Sequence, residues 1–200
     1  MGIYATKTKW QGALEPITAL CVHYRVHPDV FTYAALGLSG VAGLALAQAG
    51  HNHLWLAVVP GCLLARLLCN LLDGQIARAL GLADKWGEVK NEFGDRLADV
   101  AVFVGLGLGG YAEARLALLA LALILCVSYL GILGRALGGP RVYGGLFGKG
   151  DRMISLAAFT LYPLFTGDLA GYNGYLACAA LAAAATVAQR LQIIYRQMQS

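Results

Sequence analysis

The sequence predicts an all-α integral membrane protein, with six transmembrane helices behind an N-terminal interfacial amphipathic helix. Three observations predict it. Of the 200 residues, 58% are hydrophobic and only 13% are charged. A soluble domain carries roughly 25% charged and about 45–50% apolar residues, so the excess has to be solvated by lipid. The apolar residues also come in blocks as long as the ~20 residues a helix needs to cross a bilayer. Finally, the basic residues gather in one set of short connections and avoid the other.

The first element runs from Thr6 to His23. Trp10, Leu14, Ile17, Leu20 and Cys21 share one helical face, and Lys7, Lys9 and Glu15 lie elsewhere around it. That is the pattern of a helix lying in the interface plane; a soluble cap helix is the alternative. This stretch lacks the residue order of a cleavable signal, so it is expected to stay in the mature protein. Spanning helices follow near 29–50, 54–80, 87–110, 115–137, 152–167 and 172–194, the fifth being short. The chain thus divides into an interfacial helix, 1–24, and one six-helix transmembrane domain, 25–200. Lys7, Lys9, Arg25, Lys85, Arg135, Arg141, Lys149, Arg152 and Arg196 fall on one side, and Arg115 alone on the other, beside His51, His53, Glu113 and Asp168. Both termini are therefore expected on the cytoplasmic side of the inner membrane.

Several function classes are disfavoured. The net charge of +4 comes from scattered basic residues with no run, which gives no nucleic-acid face. The five cysteines (Cys21, Cys62, Cys69, Cys126 and Cys178) form no CxxC pair and read as small core residues. His51 and His53 lack a third zinc ligand.

The second and third spans break the hydrophobic rule near the cytoplasm. Arg66, Asn70, Asp73, Gly74, Ala77 and Arg78 recur every three or four residues and share one helical face. Gly87, Asn91, Asp95 and Asp99 do the same on the next helix. The short turn Gly81 to Trp86 makes the two helices antiparallel neighbours. Pairing Arg78 with Gly87 then puts Asn70 level with Asp95, and Arg66 level with Asp99 about one turn deeper. Asn70, Asp73, Asn91 and Asp95 converge as an oxygen-rich cluster of the kind that Mg²⁺ or Mn²⁺ takes together with substrate phosphate. Gly74 and Ala77 leave room for a ligand, and Arg78 supplies a planar donor fork. The plainer reading is a set of interhelical ion pairs, and for Arg66 with Asp99 that reading is preferred.

At these residues the chain resembles the CDP-alcohol phosphotransferase family, whose signature is D-x2-D-G-x2-A-R-x8-G-x3-D-x3-D. Asp73, Gly74, Ala77, Arg78, Gly87 and Asp95 match it, and Asn70 and Asn91 stand where the family has Asp. Pro28, Asp29 and Thr32 look like the family's P-N-x-x-T at the start of the first span. The stretch from Arg141 to Arg152 looks like its Gly-Lys segment. The resemblance implies a homodimeric membrane enzyme of phospholipid biosynthesis. It would move a substituted phosphate from CDP-diacylglycerol, or a related CDP-alcohol, to a hydroxyl acceptor and release CMP. Carried over by position, Asn70, Asp73, Asn91 and Asp95 would hold Mg²⁺ or Mn²⁺. Gly74, Ala77, Arg78 and Gly87 would cradle the CDP moiety, and Asp95 would also take the acceptor's proton.

Asparagine keeps an oxygen donor but loses the negative charge. The site is therefore expected to hold one divalent ion firmly, with any second ion weak or absent without substrate, and with Glu88 or Glu92 as candidate replacement carboxylates. Arg141, Lys149 and Arg152, with Arg135 nearby, sit in a glycine-rich loop whose Gly144, Gly145, Gly148 and Gly150 would let it close over a ligand. They are candidates for the acceptor's or donor's phosphates, or else touch lipid headgroups. Two other classes stay open: an ion pathway, disfavoured because the polar residues crowd at one end of two helices, and a weak or inactive relative that binds CDP-lipid or a partner without turnover.

Overall fold

The computed structural model describes residue 12 and residues 14–199. Among the described residues there are seven α-helices and no strand: α1 (Glu15–His23), α2 (Asp29–Gln48), α3 (Val58–Ala79), α4 (Lys85–Leu108), α5 (Ala114–Ala136), α6 (Lys149–Thr166) and α7 (Gly171–Gln199). A 3-10 turn, His53–Ala57, leads into α3. The six long helices are the six predicted segments, with α7 running on to Gln199 rather than ending at 194. Lys7, Lys9 and Trp10 of the predicted interfacial helix lie outside the described residues. Within them, Leu14 and Cys21 pack with Leu72 and Ile76 of α3, while Ile17 and Leu20 stay exposed.

Local chemistry sets the helix ends. Asp84 caps α4, its carboxylate accepting from the Gly87 N–H at 2.6 Å. Asp151 accepts from the Gly148 N–H at 2.9 Å and closes the first turn of α6. Gly167, at φ 71°, ends α6 in the left-handed conformation that glycine adopts without penalty.

Four segments are long and apolar enough to cross a membrane: Asp29–Gln48, His53–Ala79, Ala114–Ala136 and Gly171–Gln199. The predicted third and fifth spans, α4 and α6, do not meet that measure. Their first turns carry the charges that the site uses, from Lys85 to Asp99 and from Lys149 to Arg152. Leu44, Leu118, Phe165 and Leu181 point outward and are largely exposed, which a lipid-facing surface explains.

α2 packs on both α3 and α4, α4 on α5, α5 on α7, and α6 on α3. The closest approach is between α2 and α4: a Cβ on Gly43 would overlap the Ala101 backbone, and one on Gly105 would overlap the Gly43 backbone. α3 and α4 run antiparallel beside one another, as expected, but their backbones scarcely touch, and side-chain bonds join them across the space between.

Candidate active site

Two cross-links set the register of α3 and α4. Arg66 Nη2 lies 2.9 Å from Asp99 Oδ1, and Asn91 Nδ2 donates to Asp73 Oδ2 at 2.7 Å. Both pairings follow the register that places Arg78 level with Gly87.

The deeper layer is an ionic core. Arg66, Asp99 and Arg152 are 2%, 3% and 4% exposed, and Arg152 Nη2 meets Asp99 Oδ2 at 2.8 Å. Arg66 Nη2 also donates to the Asp95 carbonyl at 3.4 Å, and Arg152 Nη1 to the Phe147 carbonyl at 3.4 Å. Buried charges persist only when paired and hydrogen-bonded. One carboxylate between two guanidinium groups therefore ties α3, α4 and α6 together. Arg152, expected on an anion-binding surface, is turned instead into this interior.

The shallower layer holds the two signature carboxylates. Asp73 and Asp95 are both buried. Asp73 Oδ2 accepts from Asn91 and, at 3.5 Å, from the Thr32 hydroxyl, and Oδ1 accepts from the Gly74 N–H. Asp95 Oδ2 is bonded to the Lys149 ammonium and lies 3.9 Å from Arg96 Nη2. Among the described residues Asp95 Oδ1 accepts no hydrogen bond. Asn70 Nδ2 donates to the Arg66 carbonyl at 3.0 Å. Thr32, Asn70, Asn91, Gly94 and Asp95 line one small pocket, and Asp73 is bonded to two of its lining residues, Thr32 and Asn91. Among the described residues no three His, Cys, Asp or Glu side chains gather. Asp73, Asp95, Asn70 and Asn91 offer carboxylate and carboxamide oxygens, hard donors of the kind a small dication takes.

The expected donor cradle is assembled in part. Arg78 folds back over Gly74, where a Cβ would stand 3.3 Å from Arg78 Nη1. It is exposed and lines an open cleft between α1 and α3 with Glu15, Thr18, Gln75 and Ala79. Ala77 is half-buried on the same helix. Gly87 has a local role that the spacing did not reveal: a Cβ there would press on the capping Asp84 carboxylate at 2.8 Å. An Asp one residue before a helix was the available signal for that cap.

The glycine-rich loop is fastened down, against the expectation that it closes freely over a ligand. Arg190 of α7, 7% exposed, donates to the carbonyls of Val127 at 2.6 Å, Gly144 at 2.9 Å and Tyr143 at 3.5 Å. Phe147 N–H donates to Thr186 Oγ1 at 2.9 Å. Gly145 (φ 129°) lies against Thr186 with no space for a side chain. Sequence reasoning missed Arg190, although a lone Arg in an apolar helix was the signal.

Arg141 is ion-paired with Glu92 and stands over the Tyr143 ring at 5.1 Å. Burial works against its charge, but the Glu92 carboxylate, with Tyr143 and Glu88 nearby, holds the guanidinium pKa above its ordinary value. Glu92 also meets Arg96 at 3.5 Å, and Glu88 pairs with Arg135. Neither glutamate therefore replaces a missing carboxylate in the pocket. Asp29, at the family's Asn position, is paired with Lys90 of α4.

The profile of the CDP-alcohol phosphatidyltransferase family matches residues 25–188. The inner membrane protein YnbA of Escherichia coli K12 is 32% identical over 167 residues, covering 82% of this chain and 83% of that protein. A phosphatidylinositol phosphate synthase of Corynebacterium glutamicum is 32% identical over 201 residues, covering 96% and 87%. The phosphatidylinositol phosphate synthase of Mycobacterium tuberculosis, solved with CDP-DAG bound, superposes with a TM-score of 0.73 at 25% identity, covering 90% of this chain and 92% of that one. The same enzyme has been solved with manganese and citrate, also at a TM-score of 0.73. By sequence, signature and fold, this chain belongs to the CDP-alcohol phosphatidyltransferase family.

Proposed function

We propose that the chain transfers a phosphatidyl group from CDP-diacylglycerol, or a related CDP-alcohol, to a hydroxyl acceptor and releases CMP. Family membership supports the reaction class. The observation that carries the reading in this molecule is a pocket lined by Asn70, Asn91 and Asp95, with Asp73 bonded to its Asn91 and Thr32.

Asn70, Asp73, Asn91 and Asp95 are the proposed ligands of Mg²⁺ or Mn²⁺; the manganese complex of the related synthase supports a divalent ion. Bound there, such an ion would supply positive charge to the donor's pyrophosphate. Gly74, Ala77, Arg78 and Gly87 are the proposed CDP cradle, with the Arg78 fork on a phosphate or on the cytosine carbonyl. The acceptor oxygen attacks the lipid-linked phosphorus, the bond to the CMP oxygen breaks, and CMP leaves with that electron pair. Asp95 Oδ1 takes the hydroxyl proton, while Lys149 holds Oδ2 and fixes the carboxylate's orientation.

The acceptor to try first is an inositol phosphate, because several relatives are phosphatidylinositol phosphate synthases. Arg141 and Lys149 are proposed to receive its phosphate, and Arg152 to hold the start of α6 in place. The wider setting is also proposed: α4 and α6 complete a six-span bundle, residues 1–24 form an interfacial helix, both termini and the site are cytoplasmic, and the enzyme is a homodimer. Purified protein incubated with CDP-diacylglycerol, Mn²⁺ and a panel of inositol phosphate, glycerol phosphate, serine and polyols tests the reading. A new phospholipid by mass spectrometry together with stoichiometric CMP is the expected result. CMP from none of them refutes it.

A further inference from the structure

We propose that Lys149 is the site's resident second cation, so that each site takes a single divalent ion. The inference rests on the reading of Asp73 and Asp95 as ligands of such an ion.

The pocket has little negative charge to share. Asp99 is neutralised from both sides by Arg66 and Arg152, and Glu92 by Arg141 and Arg96. Asp73 and Asp95 remain. Lys149 is bonded to Asp95 Oδ2, and the two side chains are 15% and 8% exposed. A second dication would have to settle beside that ammonium with little carboxylate left to face it.

Lys149 is also held where it is. It opens α6, whose first turn is closed by Asp151 on the Gly148 N–H. Three residues on, Arg152 is fastened to Asp99, which lies four residues from Asp95 on α4. Lys149–Asp95 and Arg152–Asp99 are therefore two rungs between the same two helices, and the second keeps the first in register. The carboxamides agree with this arrangement. Asn91 spends an N–H on Asp73 Oδ2, a bond that an ionised carboxylate at position 91 could not make. Fewer carboxylates and a built-in cation belong together: each lowers the number of metal ions the pocket holds.

The test is Mn²⁺ binding to the full chain in nanodiscs without CDP-lipid, read by electron paramagnetic resonance. The expected result is one Mn²⁺ per wild-type chain with no spin coupling between ions. Lys149→Met, by removing a like charge at the site, is expected to tighten the first ion about tenfold and to admit a second, spin-coupled one. Two coupled ions in the wild type would overturn the proposal, and so would a Lys149→Met protein with unchanged count and affinity. If Lys149→Met does not fold, the wild-type count alone decides. CMP release in the same nanodiscs reports separately on the transferase reading: two ions with full CMP release would sink only the Lys149 proposal.

Discussion

Arg66 and Asp99 meet at 2.9 Å across two helices whose backbones hardly approach one another. Arg152 closes on the same carboxylate from a third helix. This buried triad holds α3, α4 and α6 around the shallower pair of carboxylates. Removing one partner of a buried pair typically costs about 3–5 kcal/mol. Asp99→Ala leaves two guanidinium groups facing each other and is expected to cost at least that. Arg66→Leu keeps the Arg152–Asp99 pair and is expected to cost less. Apparent melting temperatures in detergent should rank wild type above Arg66→Leu above Asp99→Ala.

Restoring a carboxylate at position 91 should cut both ways. Asn91→Asp replaces a hydrogen bond to Asp73 by a repulsion between like charges, so the metal-free protein is expected to melt lower. Divalent affinity is expected to rise, by roughly tenfold for an added charge within a few ångströms. Melting curves with and without Mn²⁺ check both signs at once, and the ion should raise the variant's melting temperature more than the wild type's.

The crossing of α2 and α4 has no room for side chains at Gly43 or Gly105. Gly43→Leu and Gly105→Val each force the helices apart, and overpacking of this kind costs ~1–3 kcal/mol or more. Because Thr32 on α2 hydrogen-bonds Asp73, CMP release is expected to fall along with the melting temperature. Gly37→Ala, where a Cβ meets nothing within 4 Å, is the control and should leave both unchanged.

Arg190→Met removes the donors from three carbonyls, two of them in the glycine-rich loop. Amide hydrogen exchange across residues 142–147 is expected to accelerate by one to two orders of magnitude, roughly the loss of one or two net hydrogen bonds. Exchange in α2 should not change.

Much of this architecture was legible in the sequence. Long apolar blocks located the helices, because lipid permits no other way of satisfying so much backbone. The three-and-four spacing of Arg66, Asn70, Asp73, Asn91, Asp95 and Asp99 located the polar stripes, and a short hairpin gave their register. Partners from distant helices were not legible. Nothing local to Lys149, Arg152 or Arg190 says that they reach Asp95, Asp99 and Val127, because helix packing and not sequence spacing brings them there. The separation of α3 from α4 was hidden for the same reason, since it depends on how closely α2 packs on each.

Asp73 and Asp95 are proposed to serve one reaction at one site. The most direct measurement is Mn²⁺-dependent CMP release from CDP-diacylglycerol by purified wild type, Asp73→Ala and Asp95→Asn, with folding of each confirmed by melting curves. Loss of a positioned base typically costs 10²–10⁴-fold, on the order of what Asp95→Asn should show, and Asp73→Ala is expected to fall at least as far. A folded Asp73→Ala or Asp95→Asn protein that releases CMP at the wild-type rate would contradict the account.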